Sequence, residues 1–264
     1  MNLKKLINKS WYGSIGYIED NAAVDLLVTY LLYNKPVLDE FKNHVFAFTY
    51  KTLDQDYLQA SIKALYPNAS ILILDTNRGH NFGTADLDNA VFEFCKNNNG
   101  GWLCKASNDM IYNLPILDKE IGSADFYYMN GIGYGGMEKY NFDFDRITQE
   151  DFYPQTNFYF INTSKVDHIN NSEYLDETYR YIQQLPEYNG RVWEYIPGWS
   201  CEGFLKECVE RNNLVKEHLI SEEKYRILLQ MVQQYQIHDC SHKNIMIEGI
   251  CHFQHSDDKI LDIS

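Results

Sequence analysis

From Ser70 to Asp109 the chain reads SILILDTNRGHNFGTADLDNAVFEFCKNNNGGWLCKASND, an alternation that admits few folds. Ile71 to Leu74 is a short apolar run with tight bounds, as a buried strand requires, and it ends on the polar Asp75-Thr76-Asn77. A loop punctuated by Gly79 and Gly83 leads to a helical stretch from Asp86 to Lys96. A turn over Asn97 to Gly101 then precedes a second apolar run, Trp102-Leu103-Cys104, which ends on Lys105 to Asp109. Two buried strands joined by a helix predict a βαβ unit, and the carboxyl edge of such a unit is the usual place for a ligand.

The same rhythm extends on both sides. His44 to Thr49 predicts a first strand with Tyr50 at its end, and Asp54 to Tyr66 predicts a helix stopped by Pro67. Downstream, Asp125 to Met129 and Phe158 to Asn162 read as strands, Ser164 to Gln184 as one or two helices, and Ser221 to Tyr235 as an amphipathic helix. Residues 1–42 predict a helical extension, with Asp20 capping a helix through Tyr33 and Pro36 breaking it. The fold expected is α/β, with a mostly parallel mixed central sheet flanked by helices, in a single domain over 43–264.

At 264 residues one such domain has ample core. The net charge of −14 argues against a nucleic-acid backbone or an anionic membrane as partner. Aromatics make up 15% of the chain, with 21 Tyr, which suits stacking against sugars. No run approaches the roughly 20 apolar residues of a membrane span. The basic amino end lacks the apolar core of a signal peptide, and six Cys are scattered without a framework spacing, so reduced thiols and a cytoplasmic setting are expected. Gly131 to Gly136 imitates a dinucleotide fingerprint, but the aromatic and acidic stretch after it is no Rossmann helix. His238, Cys240, His242, Cys251, His252 and His255 crowd the tail at spacings that match no common zinc pattern.

Asp75 at a strand end, Asn81-Phe82-Gly83 with Asn89 after it, and Ser107-Asn108-Asp109 at the next strand end resemble the nucleotide-sugar half of a GT-A-fold glycosyltransferase of the inverting, family-two-like kind. The likeness spans roughly residues 43–110, with 111–264 as the acceptor half. It implies transfer of a sugar (a hexosyltransferase type of activity) from a nucleotide-diphosphate donor, most commonly UDP-linked, to a glycan or other hydroxyl acceptor. It further implies that Thr49, Tyr50 and Asp75 meet base and ribose, and that Asn81, Gly83, Asn108 and Lys259 complete the donor site. Asp109 matches the last acid of the family's Asp-x-Asp motif and His252 its late histidine, with His255 second, implying Mn²⁺ or Mg²⁺. Ser107 stands where the motif has its first acid. Glu202, at the start of a helix, resembles the catalytic base, with Glu194 behind it, and Trp193 and Trp199 offer a sugar an aromatic platform. The incomplete motif leaves a second reading, a catalytically inactive relative that binds sugars or serves assembly.

Overall fold

The computed structural model describes residues 1–51, 54–130, 154–185, 201–221, 223–224, 227, 244–252 and 260–262. Its centre is a seven-stranded sheet, and one interior strand of that sheet is one that the sequence pattern conceals. β1 (Trp11–Ile18) pairs in parallel with β2 (Asn43–Tyr50) on one side and with β4 (Trp102–Ser107) on the other. Residues 1–42 are therefore no helical extension, because they carry an interior strand between α1 (Leu3–Ile7) and α2 (Asn21–Leu38). Gly13 and Gly16 interrupt the apolar alternation of WYGSIGYI, which is why the run does not announce itself. Nor does Pro36 break α2: it stands two residues before the helix ends, where the bond it removes would go to Leu32 on the exposed side.

The remaining strands are β3 (Ser70–Ile73), β6 (Phe126–Asn130), β7 (Pro154–Asn162) and β8 (Lys216–His218), and the sheet order is β3-β2-β1-β4-β7-β6-β8. β1 to β4 run parallel, β7 is antiparallel to both β4 and β6, and β8 is parallel to β6. This bears out the mostly parallel mixed sheet. The expected βαβ unit takes a wider form, since β3 and β4 are separated by β2 and β1. The joining helix α4 (His80–Asn97) packs on β1 and β2 as it returns from the sheet edge to the centre.

Strand alternation divides the core between the two faces. Tyr12, Phe46, Phe48, Cys104, Ala106, Phe158 and Phe160 face one way, towards Val24, Leu27 and Leu31 of α2 and Leu58 and Ile62 of α3 (Gln55–Leu65). Ile15, Val45, Ala47, Leu103, Tyr159 and Ile161 face the other way. Leu87, Val91 and Phe92 of α4 cover them, together with Leu205, Cys208 and Val209 of a helix that spans Cys201–Arg211. That helix is α6, and α5 (Ser172–Gln183) precedes it. Fully buried rings such as Phe46 and Phe48 each contribute roughly 1.5–3 kcal/mol to holding helices on the sheet. Helix starts follow the sequence: Asp20 accepts from Ala23 N at 3.1 Å and Asp54 from Tyr57 N at 3.1 Å.

A small antiparallel pair flanks the sheet, formed by β5 (Met110–Tyr112) and β10 (Ile250–His252). β9 (Asn244–Met246) and β11 (Ile260–Asp262) form another pair. The buried Asn34 of α2 fixes β5: it donates to Met110 O at 2.6 Å and accepts from Tyr112 N at 2.8 Å. The glycine-rich 131–136 stretch lies outside the described residues, as do His238, Cys240, His242 and His255 and all but Ser221, Glu223, Lys224 and Ile227 of the predicted 221–235 helix. Cys95, Cys104, Cys201, Cys208 and Cys251 are buried free thiols. Among the described residues, no helix is long and apolar enough to cross a membrane.

Candidate active site at the carboxyl edge of the sheet

The sheet order reverses at β1. β2 and β3 continue outward on one side, while β4 starts the other half. The carboxyl ends of the strands at such a reversal are where ligands bind in sheets of this kind. Here the connection from β1 enters α2, and the turn after β4 enters Met110–Tyr112, which packs against α2. Ser107, Asn108 and Asp109 stand at the end of β4, beside Ile15 and Gly16 of β1. Asn108 N donates to Ile15 O at 3.0 Å, which carries the strand pairing into the turn. A Cβ on Gly16 would come within 2.5 Å of the Asn108 side chain, so only glycine lets that amide lie across β1. Ser107 Oγ donates to Asn157 Oδ1 at 3.3 Å and ties the same edge to β7.

Asp109 faces the α2 side of this edge. Its carboxylate adds to the rise in the Tyr30 hydroxyl pKa, and the Cys251 thiol is pushed up to about 12, in both cases mainly by burial and then by the Asp109 charge. The pairing of β10 with β5 sets His252 directly opposite Met110, one residue from Asp109. The two residues expected to hold a metal thus reach neighbouring backbone positions from distant parts of the chain. A carboxylate, an amide oxygen and an imidazole are donor types that suit Mn²⁺, and the two oxygen donors suit Mg²⁺. Among the described residues there is no cluster of three or more His, Cys, Asp and Glu side chains placed to hold an ion.

On the other face, Glu202 lies in the first turn of α6, where a carboxylate answers the helix dipole. Its Oε1 accepts from Thr156 Oγ1 at 3.0 Å, and its Oε2 lies 3.4 Å from Cys201 Sγ. The pairing of β4 with β7 runs to Ala106↔Phe158, and Ser107 bonds Asn157 just beyond it, so Thr156, and with it Glu202, lies near the carboxyl end of β4. Behind Thr156 lies a buried pair that the sequence pattern did not single out. Lys105 of β4 is fully buried and Asp88 of α4 is 2% exposed, with Nζ and Oδ1 3.1 Å apart. Lys105 also donates to the Thr156 carbonyl, and its ammonium lies 5.8 Å from the centre of the Tyr159 ring. Burial pushes the Asp88 carboxyl up to about 6, against the pull of Lys105 and with a further push from the Glu202 charge. A sign of this pair was present: Lys105 interrupts an apolar run, and Asp88 occupies the buried stripe of α4 between Ala85 and Phe92.

The expected donor residues spread along the edge. Thr49 is buried and Tyr50 half-buried at the end of β2, opposite Tyr17 and Ile18 of β1. β2 is the second strand, not the first, and Asp75 follows the third and outermost strand, where it is exposed. Three strand spacings, about 14 Å, separate the lines of β3 and β4, a span that a donor touching both Asp75 and Asp109 must bridge. Gly83 is buried, and a Cβ there would meet Asn77 Oδ1 at 2.9 Å, so it admits the loop that caps the start of α4. Asn89 is a structural tie, accepting from Asn170 N at 2.9 Å and donating to Asn170 O at 3.0 Å. Arg78, in the same loop, is held by carboxylates: Asp86 accepts its Nε–H at 2.7 Å and Asp176 its Nη1–H at 2.6 Å. Glu194, Trp193, Trp199 and Lys259 lie outside the described residues, as do the side chains of Asn81 and His252. No protein-family model matches the chain, and no curated protein matches it either.

Proposed function

We propose that this chain is a GT-A-fold glycosyltransferase that moves a sugar from a nucleotide-diphosphate donor, UDP-linked, to a hydroxyl acceptor with inversion. The observation that carries the reading is the placement of Asn108-Asp109 and of Glu202, on the two faces of the sheet, near its carboxyl edge beside the point where the strand order reverses. A parallel half made of β1 to β4 and a second half entered through the antiparallel β7 fit a donor side and an acceptor side.

In this reading Glu202 takes the proton of the acceptor hydroxyl as that oxygen bonds to the anomeric carbon, and the bond from that carbon to the phosphate oxygen breaks on the opposite side. The Thr156 hydroxyl and the Cys201 thiol are neutral groups, so they orient the Glu202 carboxylate without competing for its charge. Asp109, with Asn108 and His252, would hold Mn²⁺ or Mg²⁺, which when bound offsets the charge of the leaving diphosphate. Thr49, Tyr50 and Asp75 would hold the nucleoside, and Trp193 and Trp199 the acceptor sugar.

Calorimetric titration with UDP and with GDP, each with and without Mn²⁺, tests the donor site. Binding in the micromolar range that requires Mn²⁺ and is lost in Asp109→Ala is expected. Binding that ignores Mn²⁺ would remove the metal from the reading, and no binding of either nucleotide would favour an inactive relative. That second reading draws on one observation: Ser107 stands where the motif has an acid, and its hydroxyl is engaged with Asn157.

A further inference from the structure

The Lys105–Asp88 pair is an unusual thing to find between a sheet and its helix. An ammonium and a carboxylate removed from water carry a desolvation cost that apolar residues of similar volume would avoid. Their place in the fold suggests what they do. Lys105 projects from β4 to the same side as Leu103 and reaches Asp88 on α4, while its ammonium also donates to the Thr156 carbonyl on β7. Thr156 in turn turns its hydroxyl to Glu202 on α6. One buried lysine thereby links a helix, two strands and the first turn of a second helix, and the chain of contacts ends on the Glu202 carboxylate.

We propose that Lys105, held by Asp88, fixes the Thr156 backbone, and that Thr156 thereby aims the Glu202 carboxylate; all three are positioning residues for Glu202. The proposal rests on the reading of Glu202 as the base. It does not follow from burial alone, because a merely space-filling Lys105 would have no need to bond Thr156, whose hydroxyl meets Glu202. A carboxylate displaced by about 1 Å from its acceptor loses on the order of a hundredfold in rate. The side chain of Thr156 is therefore the point at which the network can be cut with the least disturbance.

Thr156→Val keeps the shape and removes the hydroxyl, Thr156→Ser keeps the hydroxyl, and Lys105→Met removes the buried ammonium. With a donor that the wild-type protein uses, Thr156→Val is expected to lower kcat by about 10- to 100-fold while donor KM stays within about twofold. Thr156→Ser should restore kcat to within about threefold of wild type. Loss of donor affinity in step with kcat in Thr156→Val, or wild-type kcat in that variant, overturns the proposal. Crystal structures of wild type, Thr156→Val and Lys105→Met give a second readout that needs no activity. The Glu202 carboxylate should shift by about 1 Å or change rotamer in both variants, with the α6 backbone in place. If wild type transfers no sugar, the transferase reading fails, and these structures alone decide the positioning: an unmoved Glu202 in Thr156→Val refutes it even if Lys105→Met does not fold.

Discussion

Asp88 offers a quantitative test of the buried network, through the response of stability to pH. At 3.1 Å from Lys105 Nζ, its carboxylate gains about 5 kcal/mol of attraction at an effective dielectric constant of about 20. Even so, burial holds its pKa near 6, up from the ordinary 3.8, so desolvation and the Glu202 charge together outweigh that attraction. Because the folded-state pKa is the higher one, the folded protein holds more protons than the unfolded chain between about pH 4 and 6. Stability from this group is therefore greatest at the acid end and declines as pH rises through 6. A shift of about two units corresponds to about 3 kcal/mol in full, of which about 2 kcal/mol falls between pH 4.5 and 7.5.

Asp88→Asn keeps an acceptor beside Lys105 and has nothing to titrate. Urea unfolding of wild type and Asp88→Asn at both pH values cancels the other carboxylates and histidines in the difference. The wild-type stability, relative to the variant, should fall by about 2 kcal/mol from pH 4.5 to 7.5. Asp88→Leu, which leaves the ammonium without an anionic or amide partner, should instead cost about 3–5 kcal/mol. A difference between wild type and Asp88→Asn that stays flat with pH, or that grows in favour of wild type, would show that Asp88 is solvated or already ionised and that the buried pair is misjudged.

Glu202→Gln should leave UDP affinity unchanged and lower sugar transfer by at least about a hundredfold, measured as UDP release in the presence of acceptor; full transfer would exclude Glu202 as the base. Gly16→Ala places a methyl within 2.5 Å of the Asn108 side chain and should weaken Mn²⁺-dependent nucleotide binding by about tenfold, read by calorimetry, whereas wild-type affinity would show that Asn108 has no part in the site. Asn34→Ala leaves the Met110 carbonyl and the Tyr112 amide without their buried partner, and should lower unfolding free energy by about 2–3 kcal/mol in urea titrations.

What the sequence revealed and what it hid divide along a physical line. Asp20 and Asp54 each cap a helix through contacts three residues away, so local pattern was enough to find them. β3, β4, β6 and β7 are carried by apolar runs long enough to read. β1 was missed because Gly13 and Gly16 break its period, and Gly16 is there for a long-range reason: it makes room for Asn108, 92 positions later in the chain. The order of strands was equally invisible, since nothing local tells β4 to join β1 on the side opposite β2. That choice is what turns the expected βαβ unit into a crossover spanning two strands and moves Asp75 to the sheet edge. Glu202 was reached from its place at a helix start. The residues that orient it were not, because Lys105, Asp88 and Thr156 come from three elements and acquire meaning only through their contacts.

The same contrast bears on how the two halves of the proposed site are held. Asp109 and Asn108 are fixed by backbone devices: the Asn108 amide extends the β1 pairing, Asn34 pins β5 just beyond them, and β10 closes over β5. Glu202 sits instead on a helix end and depends on a side chain for its aim. A backbone-held donor side and a side-chain-held acceptor side respond differently to mutation. Substitutions around Asn34 or Gly16 should disturb stability and nucleotide affinity together, whereas substitutions at Thr156 should change turnover alone. A Thr156→Val protein that binds nucleotide as wild type does but transfers slowly, set beside an Asn34→Ala protein that is less stable and binds weakly, would separate the two halves by experiment. The reverse pairing would mean that the edge of the sheet is organised around some other chemistry.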